Sequence, residues 1–273
     1  MQTIPYLEFY GLKREPFSAA PDESFWFNSP QHTEALMKIL HAIKNYRGLI
    51  LVTGDIGLGK TTIARKLLRE LLKEEIFDPA LLVIVHSSVG TIWFLKKIAF
   101  YLKIESVNEN PLTLVSKISK RLIEMYKKNK IPVFLIDEAN MLKNKEVMEE
   151  IRGLLNIEVP GKRLLNFVLF GLPEVEENLK MDMPLYERVA MKINITPFDL
   201  ESTKRYIIHR LKLAGKEDKI FCEEVYEKIY EYSKGKPRLI NTICDNALLE
   251  GFLRKKKLID IEVIERVLKE FSL

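Results

Sequence analysis

The sequence predicts an α/β fold in which a parallel sheet is sandwiched by helices and followed by a small helical domain. Three observations predict it. Apolar runs of strand length alternate with stretches of helical periodicity, a glycine-rich loop ending in Lys-Thr follows the first run, and nothing beyond Pro197 reads as a strand.

Composition sets the frame for these elements. Of the 273 residues, 47% are hydrophobic and 30% charged, which is enough apolar material for a core and too much for intrinsic disorder. The longest purely aliphatic run, residues 81–85, is far short of the roughly 20 residues that cross a bilayer, so no membrane span is expected. Glu8, Arg14 and Glu15, with Pro5 and Pro16 among them, break the pattern of a secretion signal. The expected location is cytoplasmic. Cys222 and Cys244 lack both metal-site spacing and disulfide density and read as small core hydrophobes.

Taken in order, residues 31–46 place Ala35, Leu36, Ile39, Leu40 and Ile43 on one helical face, and residues 48–53 form a short apolar strand. A helix over 62–72 follows. Strands are then expected at 81–85, 132–136, 166–170 and 191–196, separated by helices such as 91–102 and 112–127. Strands that alternate with helices make a parallel sheet. Pro197 ends this pattern. Helical spacing at 201–214, 223–233, 237–254 and 260–271 then describes a bundle.

Gly54, Asp55, Ile56, Gly57, Leu58, Gly59, Lys60 and Thr61 satisfy GxxxxGK[ST] between a strand and the helix opened by Thr62. Glycines let successive amides point at phosphate oxygens while the helix N-terminus adds partial positive charge. Lys60 reaches the β and γ phosphates, and Thr61 supplies a hydroxyl to Mg²⁺. The fold is thus that of a P-loop NTPase. ATP and Mg²⁺ are the expected cofactors, since no guanine-reading NKxD is present and Asn144-Lys145-Glu146-Val147 lacks the Asp.

The second motif is the apolar strand ending in Asp137-Glu138, 77 residues after Lys60. Asp137 suits a Mg²⁺ site, reached through water, and Glu138 is placed to polarise an attacking water. A phosphotransferase acting on a small molecule has no need of that second carboxylate.

GDIGLGKTT, FLIDEAN, FGLPEVEENL, LYERV and GKPRLINTICDNALL, in this order, resemble the AAA+ (ASCE) ATPases of the ExeA or general secretion pathway protein A type, from Tyr10 to the end. The resemblance implies an N-terminal segment and first helix at 1–47 packing on the nucleotide site, an ATPase core at 48–196 and a helical lid at 197–273. It places Pro16 and Phe17 beside the adenine, although Phe17 is equally suited to a core under a long loop. Arg188 corresponds to an arginine acting on a neighbouring subunit's nucleotide; the other reading is a helix-end arginine paired with a carboxylate. Arg238, following Gly235-Lys236-Pro237, corresponds to a second sensor of the γ-phosphate. The polar first sensor is replaced in Gly171-Leu172-Pro173, which implies hydrolysis that is slow or depends on a partner.

The family implies a homo-oligomer, ring or filament, and an assembly or regulatory role in secretion or pilus machinery, at the inner membrane through a membrane-associated partner. Related transposition regulators form filaments on DNA, which is the alternative function. Basic stretches at 254–257, 127–130 and 234–238 are candidates for that contact. Against it, the net charge of +5 is not pooled: from Pro197 onward 16 basic residues face 14 acidic ones.

Overall fold

The computed structural model describes residues 5–18, 22–105 and 109–270. Its contacts divide the chain into two units. One comprises Gln31–Ile56 and Ile63–Ile195; the other comprises the described residues up to Pro30, the loop stretch Gly57–Thr62 and the residues from Thr196 onward.

In chain order the elements are α1 (Pro5–Tyr10), α2 (Pro30–Lys44), β1 (Leu49–Gly54), α3 (Lys60–Leu72), β2 (Phe77–Val83), α4 (Thr91–Tyr101), α5 (Pro111–Lys127) and β3 (Ile131–Asp137). They continue with α6 (Lys145–Leu155), β4 (Glu158–Val159), β5 (Lys162–Arg163), β6 (Asn166–Gly171), α7 (Glu174–Lys180), α8 (Met183–Tyr186) and β7 (Val189–Ile195). Four helices close the chain: α9 (Leu200–Leu213), α10 (Glu223–Ser233), α11 (Pro237–Leu253) and α12 (Ile261–Glu270).

The first unit is built on a five-stranded parallel sheet of order β2-β3-β6-β1-β7. Strands β3 and β6 are buried along their whole length, as expected of strands covered by helices on both faces. Register is set by apolar pairs such as Leu51↔Leu169 and Leu135↔Val168. Strand β2 begins four residues earlier than the apolar run suggests, because Asp78 and Pro79 interrupt the hydrophobic signal. Pro79 is tolerated there because β2 lies at the edge of the sheet, pairing only with β3. The two-residue strands β4 and β5 form a small hairpin that periodicity could not reveal.

The second unit is helical, and its core runs through Ile207, Phe221, Ile229, Ile243, Cys244 and Ile264, all essentially inaccessible to solvent. Cys222 is only partly buried. The N-terminal segment belongs to this unit. Tyr6 donates to Asp245 Oδ1 at 2.7 Å, Tyr10 to the Lys256 carbonyl at 2.9 Å, and the Lys13 amide to the Ala214 carbonyl at 2.8 Å. Phe27 packs edge-on to Phe198 and Tyr206. This grouping differs from a division at residue 47, since residues from Gln31 go with the sheet.

Candidate nucleotide site

In a parallel sheet all strands end at one edge, and ligands of such folds bind beyond that edge. Here β1 ends in Gly54 and β3 in Asp137, with only β6 between them. Asp137 is 2% exposed, and its Oδ1 accepts the Glu138 amide at 3.0 Å. Among the described residues Oδ2 has no hydrogen-bond partner. Glu138 is exposed and adopts φ 54°, ψ 38°, the left-handed region that side chains other than glycine rarely occupy. Strain of this kind persists where surrounding structure enforces it, which is common at functional sites.

The loop after β1 turns through Gly57 (φ 82°) and Gly59 (φ 91°) and runs into α3 at Lys60. Leu58 is buried and anchors the loop, whereas Asp55 and Ile56 are exposed; Lys60 is 8% exposed, and Thr61 and Thr62 are half-buried in the first turn of α3. Left-handed glycines followed at once by a helix N-terminus turn several amides toward one point, the arrangement that receives phosphate. The Thr61 hydroxyl and the Asp137 carboxylate are each oxygen donors of the kind that a hard cation such as Mg²⁺ takes. The residues present therefore fit both nucleotide phosphates and the metal.

Arg238 lies in the first turn of α11, behind Pro237. Its amide donates to the Gly57 carbonyl at 3.2 Å, and a Cβ added to Gly57 would stand 3.0 Å from the Arg238 Cβ. The Arg238 side chain is exposed and makes no ion pair among the described residues. The structure thus brings together the phosphate loop and the arginine assigned as second sensor.

Arg188 is elsewhere. It precedes β7, whose residues Val189 and Ile195 lie beside Leu49 and Gly54 of β1. Five residue steps of about 3.3 Å separate the two ends, roughly 17 Å, farther than an arginine side chain extends. Its guanidinium is held by Asn156 Oδ1 and by the Arg152 carbonyl at 3.4 Å. Both acceptors are neutral, so the helix-end pairing with a carboxylate is not what forms. Instead Arg152 takes the carboxylate, donating to Asp182 Oδ2 at 2.8 Å.

Phe17 is 2% exposed and meets the Phe221 ring edge-on at 6.3 Å, which is the core placement left open by the sequence. A ring enclosed in this way offers no open face on which a base could stack.

One polar residue went unnoticed in the sequence. Asn140 is 9% exposed, its Oδ1 accepts the Leu172 amide at 3.1 Å, and its carbonyl accepts Asn178 Nδ2 at 2.9 Å. It ties the turn after β3 to the turn after β6, where Leu172 stands in place of the expected polar sensor. The FLIDEAN run that marked Asp137 and Glu138 contained this residue too, but its partners lie more than 30 residues away.

Residues 43–179 match the AAA domain family, and the chain belongs to that family. Over 252 residues, 91% of this chain, it is 32% identical to General secretion pathway protein A of Aeromonas hydrophila. It spans 45% of that relative's length. The fold is similar to that of the Pyrobaculum aerophilum Cdc6p (TM-score 0.69, 17% identity, 92% of this chain and 71% of that one). It is also similar to the Aeropyrum pernix ORC2 protein (0.66, 16%, 91% and 71%) and the Thermotoga maritima RuvB branch migration motor (0.57, 19%, 86% and 68%).

Proposed function

We propose that the chain binds ATP with Mg²⁺, hydrolyses it, and serves as a nucleotide-dependent assembly or regulatory ATPase of secretion or pilus machinery. The observation that carries this reading is the shared edge of the sheet at which β1 runs into the phosphate loop and β3 ends in Asp137 and Glu138. The amides of the loop and Lys60 hold the phosphates, and Thr61 and Asp137 are the residues that would hold the cation. Bound there, Mg²⁺ would stabilise charge on the phosphate oxygens. Glu138 is exposed and accepts a proton from the attacking water.

Arg188 lies too far from Gly54 to serve its own chain, so it acts on a nucleotide held by a second copy, and the working form is a ring or filament. Arg238 couples the helical unit to the γ-phosphate through its place beside Gly57. Leu172 at the sensor position supports turnover that is slow or stimulated by a partner. The similarity to General secretion pathway protein A supports a peripheral place at the inner membrane through a partner protein, with the bulk of the chain cytoplasmic. No helix among the described residues is long and apolar enough to cross a membrane.

The alternative, a DNA-binding regulator of transposition, draws less support. In the 254–257 stretch Arg254 pairs with Glu250 and Lys256 with Asp260 and Glu262, so two of its four cations are already engaged by carboxylates. Calorimetric titration with ATP–Mg²⁺ and a phosphate-release assay test the proposal. Lys60→Ala should abolish binding; equal affinity in the variant and the parent would reject it.

A further inference from the structure

The other edge of the same sheet carries a second feature. Strands β6, β1 and β7 are neighbours, and each is preceded by arginine: Arg163, Arg47 and Arg188. Parallel pairing therefore gathers three arginines that are distant in sequence. With Lys162 they line a cleft of about 800 Å³ between the turn after α2, the β4–β5 hairpin and the start of β7. That volume lies within the range of small-molecule sites.

Three of these cations are oriented by neutral groups. Arg163 donates to the Arg47 carbonyl at 2.6 Å, and its stem crosses Gly48, where a Cβ would come within 2.5 Å of the Arg163 Cδ. Gly48 has φ +84°, so glycine is doubly required there. Lys162 lies 4.9 Å from the centre of the Tyr46 ring, and Arg188 is held by Asn156 and Arg152 as described. Among the described residues none of the four is ion-paired, although Glu158 and Glu187 also line the cleft. Like charges gathered in one place repel, and an entering polyanion relieves that repulsion.

We propose that this cleft is a binding site for a phosphate chain, with Arg47, Lys162 and Arg163 as its unassigned ligands beside Arg188. Guanidinium groups match phosphate oxygens two at a time, and a lysine adds a mobile point charge. Four cations around one cleft fit a compact di- or triphosphate better than the extended backbone of a nucleic acid. The phosphates come either from free oligophosphate or from the nucleotide held by a second copy of this chain. Only the latter source rests on the ATP reading above.

The test uses the full chain carrying Lys60→Ala, so that the phosphate loop is silent, and inorganic triphosphate as the probe in calorimetry. The expected result is one binding site that weakens at least about tenfold when Arg47→Gln and Lys162→Gln are added, both positions being exposed. Unaltered affinity in that variant, or no triphosphate binding by the Lys60→Ala chain, would overturn the site. Circular dichroism and thermal unfolding matched to the parent keep the comparison valid, and Lys162→Gln alone, expected to lose part of the affinity, serves if the combined variant misfolds.

Sedimentation of the ATP-loaded Glu138→Gln chain separates the sources. Self-association that requires ATP and is lost with Arg47→Gln and Lys162→Gln assigns the phosphates to a second copy; a chain that binds triphosphate as a monomer assigns them to a free ligand. Duplex DNA binding that is lost in the same variant but not displaced by triphosphate at equal ionic strength would overturn the proposal in favour of a nucleic-acid surface. Failure of the parent chain to bind ATP would sink the ATPase reading while leaving triphosphate binding by the cleft intact.

Discussion

The amide of Arg238 donates to the carbonyl of Gly57 at 3.2 Å, so the start of α11 rests directly on the phosphate loop. The loop can turn there because Gly57 has φ +82°, and α11 can approach because Gly57 has no Cβ.

Gly57→Ala should therefore cost about 1–2 kcal/mol from the left-handed backbone alone, with a further penalty from the 3.0 Å approach to the Arg238 Cβ. ATP affinity should fall with it. Thermal unfolding and nucleotide titration check both effects, and a variant with parental ATP affinity would show that this contact does not shape the loop.

Glu138→Gln keeps the size and position of the side chain but removes the proton acceptor. Retained ATP binding with turnover reduced about 100-fold or more is expected. Single-turnover phosphate release is the direct measurement, and parental rates would remove Glu138 from the chemistry.

Arg188→Ala should be inactive alone and regain activity when mixed with Glu138→Gln protein, because an intact nucleotide site on one chain then meets an intact arginine on another. Steady-state hydrolysis across mixing ratios tests this. Absence of recovery at every ratio would argue that Arg188 does not act across copies.

Asp199 caps α9, accepting the Ser202 amide at 2.7 Å, and this bond, helped by the Ser202 hydroxyl, holds its carboxyl below the ordinary value of 3.8. A depressed value in the folded state means that the unfolded chain binds the proton more readily as the pH falls. The contribution is complete above pH 3.8 and is lost as the pH drops through the folded value. Asp199→Ala should cost about 1 kcal/mol near neutrality and progressively less in acid. Denaturant midpoints for parent and variant across that range would read the difference, which should be independent of pH if the cap is not ionic.

Much of the site was legible because its chemistry is contiguous. The loop from Gly54 to Thr61 and the Asp137-Glu138 pair each lie within a few residues, flanked by apolar strands that announce them. What stayed hidden depends on partners far along the chain. Tyr6 meets Asp245 across 239 residues, so no local pattern shows that the N-terminal segment belongs with the last helices. Phe17 was undecided because an aromatic side chain suits a core and a base equally until burial is known. The basic cleft was invisible for the same reason, its cations lying at 47, 162, 163 and 188. Short elements were lost to their length, the hairpin β4–β5 above all.

The backbone of Glu138 has an implication for engineering. Its conformation is one that glycine adopts freely, so Glu138→Gly should raise the melting temperature while removing the carboxylate. Selection for heat resistance alone would favour that exchange. That a glutamate stands there is a sign that the position answers to something other than durability, and comparing the melting temperatures of Glu138→Gly and Glu138→Ala would measure how much sturdiness the chain forgoes.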